Sequence, residues 1–169
     1  ASYKILHAYA LQHCPMALQG AITSGQYVHA DGVFYGGNRA SWSQHTLSAI
    51  LQRFAAGVQE VGFIDLHTGL GPSGIGEIIS NHEGDGPALA RVRDWFGEEA
   101  TTTGDGTSSA AVIQGDINNG VQTALPNATV TGVKLEYGTV PLEETLNAIR
   151  ADNWLHIRVR LRSDRGGDT

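Results

Sequence analysis

Glu60-Val-Gly-Phe-Ile-Asp-Leu-His-Thr-Gly69 is a run of strand-forming residues that stops on a histidine and then turns through glycine. Thr129-Val-Thr-Gly-Val-Lys-Leu-Glu-Tyr-Gly138 has the same build, with Glu136 at the position before the break. In open α/β sheets the carboxyl ends of strands face the ligand crevice. A histidine and a glutamate delivered there can act as metal ligand and general base. The alternative is an ordinary histidine and a solvated glutamate at two strand ends. Side chains alternate along a strand, so Asp65 shares a face with His67 and can orient its ring, or else cap a neighbouring loop or helix. Thr68 and Gly69 bring backbone N–H groups to the same point, where they hold a substrate oxygen or simply make the turn.

Outward from these strands the chain alternates between helix and strand. Ser2 to Gln12 places Ile5, Leu6, Tyr9 and Ala10 at helical spacing, and Pro15 to Ile22 forms a second short helix. Gln26 to Asn38 is a connection with an extended piece at Val33 to Tyr35. Ser41-x-x-Gln44 or Ser43 opens a helix with Leu47, Ile50, Leu51 and Phe54 on one face, closed by Gly57. Gly69 to Gly76 is expected as a loop and Glu77 to Ser80 as a brief strand. Pro87 starts a helix that Gly97 stops. Thr101 to Ser109 is expected as a polar loop, Asp116 to Leu125 as a helix, and Pro141 as the start of a last helix to about Trp154. That order predicts a three-layer α/β/α domain with a mainly parallel, mixed central sheet.

Composition narrows the function classes. The chain has 169 residues, enough for one domain with a core, and 41% of them are hydrophobic. Seventeen acids against eleven bases give a net charge of −6, which argues against nucleic acid as a partner. No apolar span of membrane length and no signal-peptide pattern is present, so no membrane partner and a cytoplasmic location are expected. Cys14 is the single cysteine, which excludes an internal disulfide framework and a CxxC-type zinc site.

Other motifs carry less. Gly69-x-Gly71-x-x-Gly74 follows a strand, but a dinucleotide fingerprint needs a helix to begin there, and Pro72 with Ile75 to Ser80 indicates turn and strand. Ser24, Ser73 and Ser108 lack the strand-to-helix elbow of an esterase nucleophile. His7, His13, His29, His45, His82 and His156 form no HxxxH or HExxH.

Asp65-Leu-His-Thr-Gly69 together with Leu135-Glu-Tyr-Gly138 resembles the zinc carboxypeptidase superfamily, which also contains succinylglutamate desuccinylase and aspartoacylase. Gly25-Gln-Tyr27, Gly32-Val-Phe-Tyr-Gly-Gly37, Ser41-Trp-Ser43 and Ala151-Asp-Asn-Trp-Leu155 look like a bacterial branch of carboxypeptidase-like proteins. The resemblance covers Tyr9 to Trp154 and implies a phosphorylase/hydrolase-like carboxypeptidase fold, here incomplete. It implies His67 as a zinc ligand, Glu136 as the glutamate that activates the zinc-bound water, and a peptide or acyl-amino-acid substrate. It also implies an upstream His-x-x-Glu that supplies two further ligands, and residues 1–66 carry no such pair.

Residues 1–155 are therefore expected to be the second half of a catalytic domain, with 156–169 a disordered or altered tail. Zinc is expected in the complete domain and weak or absent in this chain alone. A carboxylate clamp would normally lie in the missing part, leaving Arg39 as the arginine to watch, either as a substrate contact or as a surface residue packed on Trp42 or Tyr35. An uncovered sheet edge is expected to pair with another copy or with a complementary segment. Two functions follow: part of a zinc-dependent amide hydrolase, or a noncatalytic α/β module for binding or assembly.

Overall fold

The structure, a computed structural model, describes residues 2–82 and 86–166. Its centre is a pair of parallel strands, β1 (Glu60–Ser73) and β4 (Thr129–Gly138), joined in unbroken register from Glu60↔Thr129 to Gly69↔Gly138. Between them in sequence come β2 (Gly76–Ser80) and the two-residue β3 (Thr101–Thr102). The strand order is β1-β4-β2-β3, with β2 antiparallel to β4 and parallel to β3. The sheet is mixed and mostly parallel, as the order of elements predicts.

Helices cover both faces because successive residues of β4 point to opposite sides. Val133 packs with Leu89 and Val92 of helix α4 (Pro87–Phe96) and with Ala100, backed by Ile78 and Phe96. Val130, three positions away and thus on the other face, packs with Val121 of helix α5 (Ile117–Ala124), Leu125 and Ala128. Helix α3 (Trp42–Phe54) supports this second cluster through Leu51, beside Val61 and Phe63 of β1. Together these layers make a small α/β fold.

Local chemistry sets the helix ends. Ser41 Oγ accepts the Gln44 N–H at 3.1 Å, and Asp116 accepts the Asn119 N–H at 3.0 Å, each satisfying a backbone donor of the first turn. Pro87 occupies the first turn of α4, and Gly97 ends it at a φ of 117°. Helices α1 (Ser2–His13) and α2 (Pro15–Thr23) lie close to their expected ranges.

Five expectations change. The segment after His67 is not a plain loop: β1 continues to Ser73 through a bulge in which Gly69 and Ser73 both pair with Gly138. Gly69 and Gly71, at φ of 146° and 87°, make that detour possible. Val33 to Tyr35 supplies only an isolated bridge, Gln26↔Tyr35, because Phe34 adopts a left-handed φ of 55°. Thr101 and Thr102 form a strand on β2 instead of belonging to the loop. On α1, Leu6 and Ala10 turn inward while Ile5 is 70% exposed, so the apolar face is narrower than its spacing implies.

The fifth change concerns the last helix. Helix α6 (Leu142–Gly166) runs past Trp154 because no glycine or proline interrupts it before Gly166. Residues 156–166 continue this helix, and 167–169 lie outside the described residues. Among the described residues no helix is long and apolar enough to cross a membrane.

Candidate functional site

Parallel register places the site. His67 pairs with Glu136 and Asp65 with Lys134, so the four side chains share one face of β1 and β4. His67 Nδ1 lies 3.6 Å from Glu136 Oε2, and His67 Nε2 lies 2.6 Å from Asp65 Oδ2. Whichever ring nitrogen carries the proton, a carboxylate faces it. The imidazole side chain is 43% exposed, whereas that of Glu136 is only 8% exposed. The pair thus presents an accessible ring above a largely desolvated carboxylate.

Glu136 is held from the backbone side as well. The Leu70 N–H donates to Glu136 Oε1 at 3.0 Å, which leaves Oε2 toward His67. The bulge between Gly69 and Ser73 folds this amide back over the strand end. The donor to Glu136 is Leu70 because the detour turns its amide inward, a role distinct from the substrate-oxygen contact expected of Thr68 and Gly69. Thr68 and Gly69 line the same cavity, but neither is seen donating to Glu136.

Glu77 lies beside Glu136 in the antiparallel register of β2 and β4. Its carboxylate turns to the 101–109 segment, accepting from Thr101 Oγ1 at 2.6 Å and from Ser109 N and Oγ at 3.1 and 2.5 Å. Burial pushes the Glu77 carboxyl up, but hydrogen bonds from Ser109, Thr101 and Ser108 outweigh it and hold the group below its usual range. Deeper in the sheet, Lys134 Nζ is paired with Asp116 Oδ2 at 3.0 Å and Asn81 Oδ1 at 2.8 Å, which compensates an otherwise costly buried cation.

Above His67 and Glu136 lies a cavity of about 450 Å³ roofed by α1, α2 and α6. Leu6, Leu18, Ile22, Leu146 and Ile149 line it. These helices belong to no strand motif, so nothing in the two strand sequences points to them. Gln19 is buried and ties α2 to the 101–109 segment through the Ser109 carbonyl at 3.3 Å. Arg39 is exposed on the loop before α3 and is not among the cavity residues.

The zinc that the resemblance implies calls for three protein ligands. Among the described residues no group of three His, Cys, Asp or Glu side chains converges to hold a metal ion. Both nitrogens of His67 already face carboxylates. The described residues do not by themselves fit a zinc centre.

Fold and site together define a small α/β protein with an imidazole and a desolvated carboxylate side by side at adjoining strand ends. The chain belongs to the family described as "Protein of unknown function (DUF2817)", whose model matches residues 2–165. No curated protein and no solved structure matches the chain.

Proposed function

We propose that this chain carries the proton-transfer half of an amide hydrolase site of the zinc carboxypeptidase type. The observation that carries the reading is the 3.6 Å approach of His67 Nδ1 to Glu136 Oε2 at the C-terminal ends of two parallel strands, beneath a cavity large enough for a small molecule. Glu136 has the features of a general base: low solvent exposure and one oxygen anchored by the Leu70 amide, with the other directed to the site. A water beside Oε2 would give up its proton there as it attacks the carbonyl, and the same carboxyl would return the proton to the leaving nitrogen. Asp65 fixes the His67 ring from its far side.

In the complete domain His67 would be one ligand of a zinc ion, whose chemistry is to polarise the carbonyl and acidify water. The described residues provide no full ligand set, so the chain alone is proposed to be inactive toward its peptide or acyl-amino-acid substrate. A second reading, a noncatalytic binding or assembly module, is favoured by that same incomplete set.

The reading frame upstream of Ala1 separates the two. A continuous frame carrying His-x-x-Glu supports the hydrolase; a frame without it supports the module. Elemental analysis of the purified chain is the companion test: little zinc is expected, and stoichiometric zinc would contradict the half-site.

A further inference from the structure

The cavity above the His67 and Glu136 pair has a character that the pair itself does not require. Its walls include three apolar helical stripes: Leu6 and Ala10 on α1, Leu18 and Ile22 on α2, and Leu146 and Ile149 on α6. Each stripe follows the three- or four-residue spacing of a single helix face, and all six side chains are half-buried. In a well-packed core such stripes would interdigitate. Helices α1 and α2 touch each other, yet a space of about 450 Å³ remains among the three stripes, open to the dyad.

Resting on the hydrolase reading above, we propose that this cavity takes a medium-length aliphatic chain attached to the amide that the pair acts on. Polar side chains such as His7, Gln19, Glu143 and Arg150 border the space as well, but most of the surface turned to it is hydrocarbon, so burial of hydrocarbon is what the space rewards. Its volume lies in the lower part of the roughly 300–1,000 Å³ range of small-molecule pockets, which limits the occupant to a chain of moderate size. The polar end of the ligand meets His67 and Glu136 where they close the cavity. The chain belongs either to the acyl side or to the amine side of the amide, and the chemistry of recognition is the same for both.

Calorimetric titration of the purified chain distinguishes the sources. One series is acetyl-, butyryl-, hexanoyl- and octanoylglycine; the other is N-butyl-, N-hexyl- and N-octylacetamide. Affinity is expected to rise about fourfold per added methylene in at least one series, the fold-change that corresponds to ~0.8 kcal/mol. Ala10→Trp, which fills the space, should abolish the dependence on chain length, and Ile22→Phe should reduce it; native circular dichroism identifies a folded variant. Glu136→Gln should keep it. Flat affinities in both series, or an unchanged dependence in a folded filling variant, would overturn the proposal.

Binding and turnover are read separately. A length dependence without hydrolysis by the complete polypeptide would leave the pocket standing and remove the hydrolase. Equal hydrolysis of acetyl and octanoyl substrates would do the reverse.

Discussion

His67 and Glu136 are register partners on neighbouring parallel strands, and their side chains meet at 3.6 Å on the same face. The meeting follows from backbone pairing that runs without a break back to Glu60 and Thr129. A one-residue slip would send one of the two to the opposite face. Val61, Phe63 and Val130 pack on the same face as His67 and Glu136, and those core contacts oppose such a slip.

Asp65 is the side chain that sets the ring's orientation, at 2.6 Å from Nε2. Asp65→Asn should lower activity of the complete polypeptide by about 10–100-fold, as loss of a supporting carboxylate commonly does. Because Asp65 is partly exposed, the urea midpoint should hardly move. Unchanged activity would mean the contact does no positioning.

Gly138 is where the bulge crosses β4. A Cβ there would collide with the backbone carbonyls of Gly71 and Pro72. Gly138→Ala should therefore destabilise the protein by about 1–3 kcal/mol and displace the Leu70 amide from Glu136. Denaturant unfolding measures the first effect, and amide chemical shifts measure the second. A variant with wild-type stability would contradict this geometry.

Acid should weaken the fold in two stages. Burial and the nearby Arg91 hold His82 below its ordinary 6.5 despite an opposing effect of Asp116. Glu77 is held below its ordinary 4.5, its hydrogen bonds outweighing burial. In both cases the unfolded chain binds the proton more readily, so the stabilisation is complete above those values and is lost as pH falls through the folded-state pKa. Urea midpoints should decline below pH 6.5 and again below 4.5. Ser109→Ala, which removes a hydroxyl donor to Glu77, should flatten the second decline. A midpoint that rises on acidification would contradict the assignment.

β1 lies at the edge of the sheet, and its outward-facing Ile64 and Leu66 are 52% and 73% exposed. An apolar edge strand is a template for pairing. The chain should self-associate at micromolar concentrations, and Ile64→Lys with Leu66→Lys should shift it toward monomer. A wild-type chain that sediments as a compact monomer at those concentrations would remove this prediction.

Much of the architecture was legible in the residues because the signals were local. Ser41-x-x-Gln44, Pro87 with Gly97, and Asp116 each mark a helix end by chemistry within one turn. The two strand motifs likewise announce themselves by composition, and alternation along β1 places Asp65 beside His67. The missed features depend on distant partners. β3 exists because Thr101 and Thr102 find β2, and Glu77 collects the donors of the 101–109 segment. The Leu70 amide reaches Glu136 only because the chain bulges against Gly138, sixty-odd residues away in sequence. The cavity arises from how α1, α2 and α6 are placed above the strand ends, which no single helix pattern records.

Hydrolysis of an N-acyl amino acid, in the presence of zinc, by the polypeptide that includes the upstream reading frame is the most direct test of the central claim. Wild type should turn over, and Glu136→Gln should lose about 10²–10⁴-fold in kcat while remaining folded, the contribution expected of a positioned general base. A Glu136→Gln variant as active as wild type would contradict the assignment of Glu136, and a folded wild-type polypeptide with no turnover would contradict the hydrolase itself.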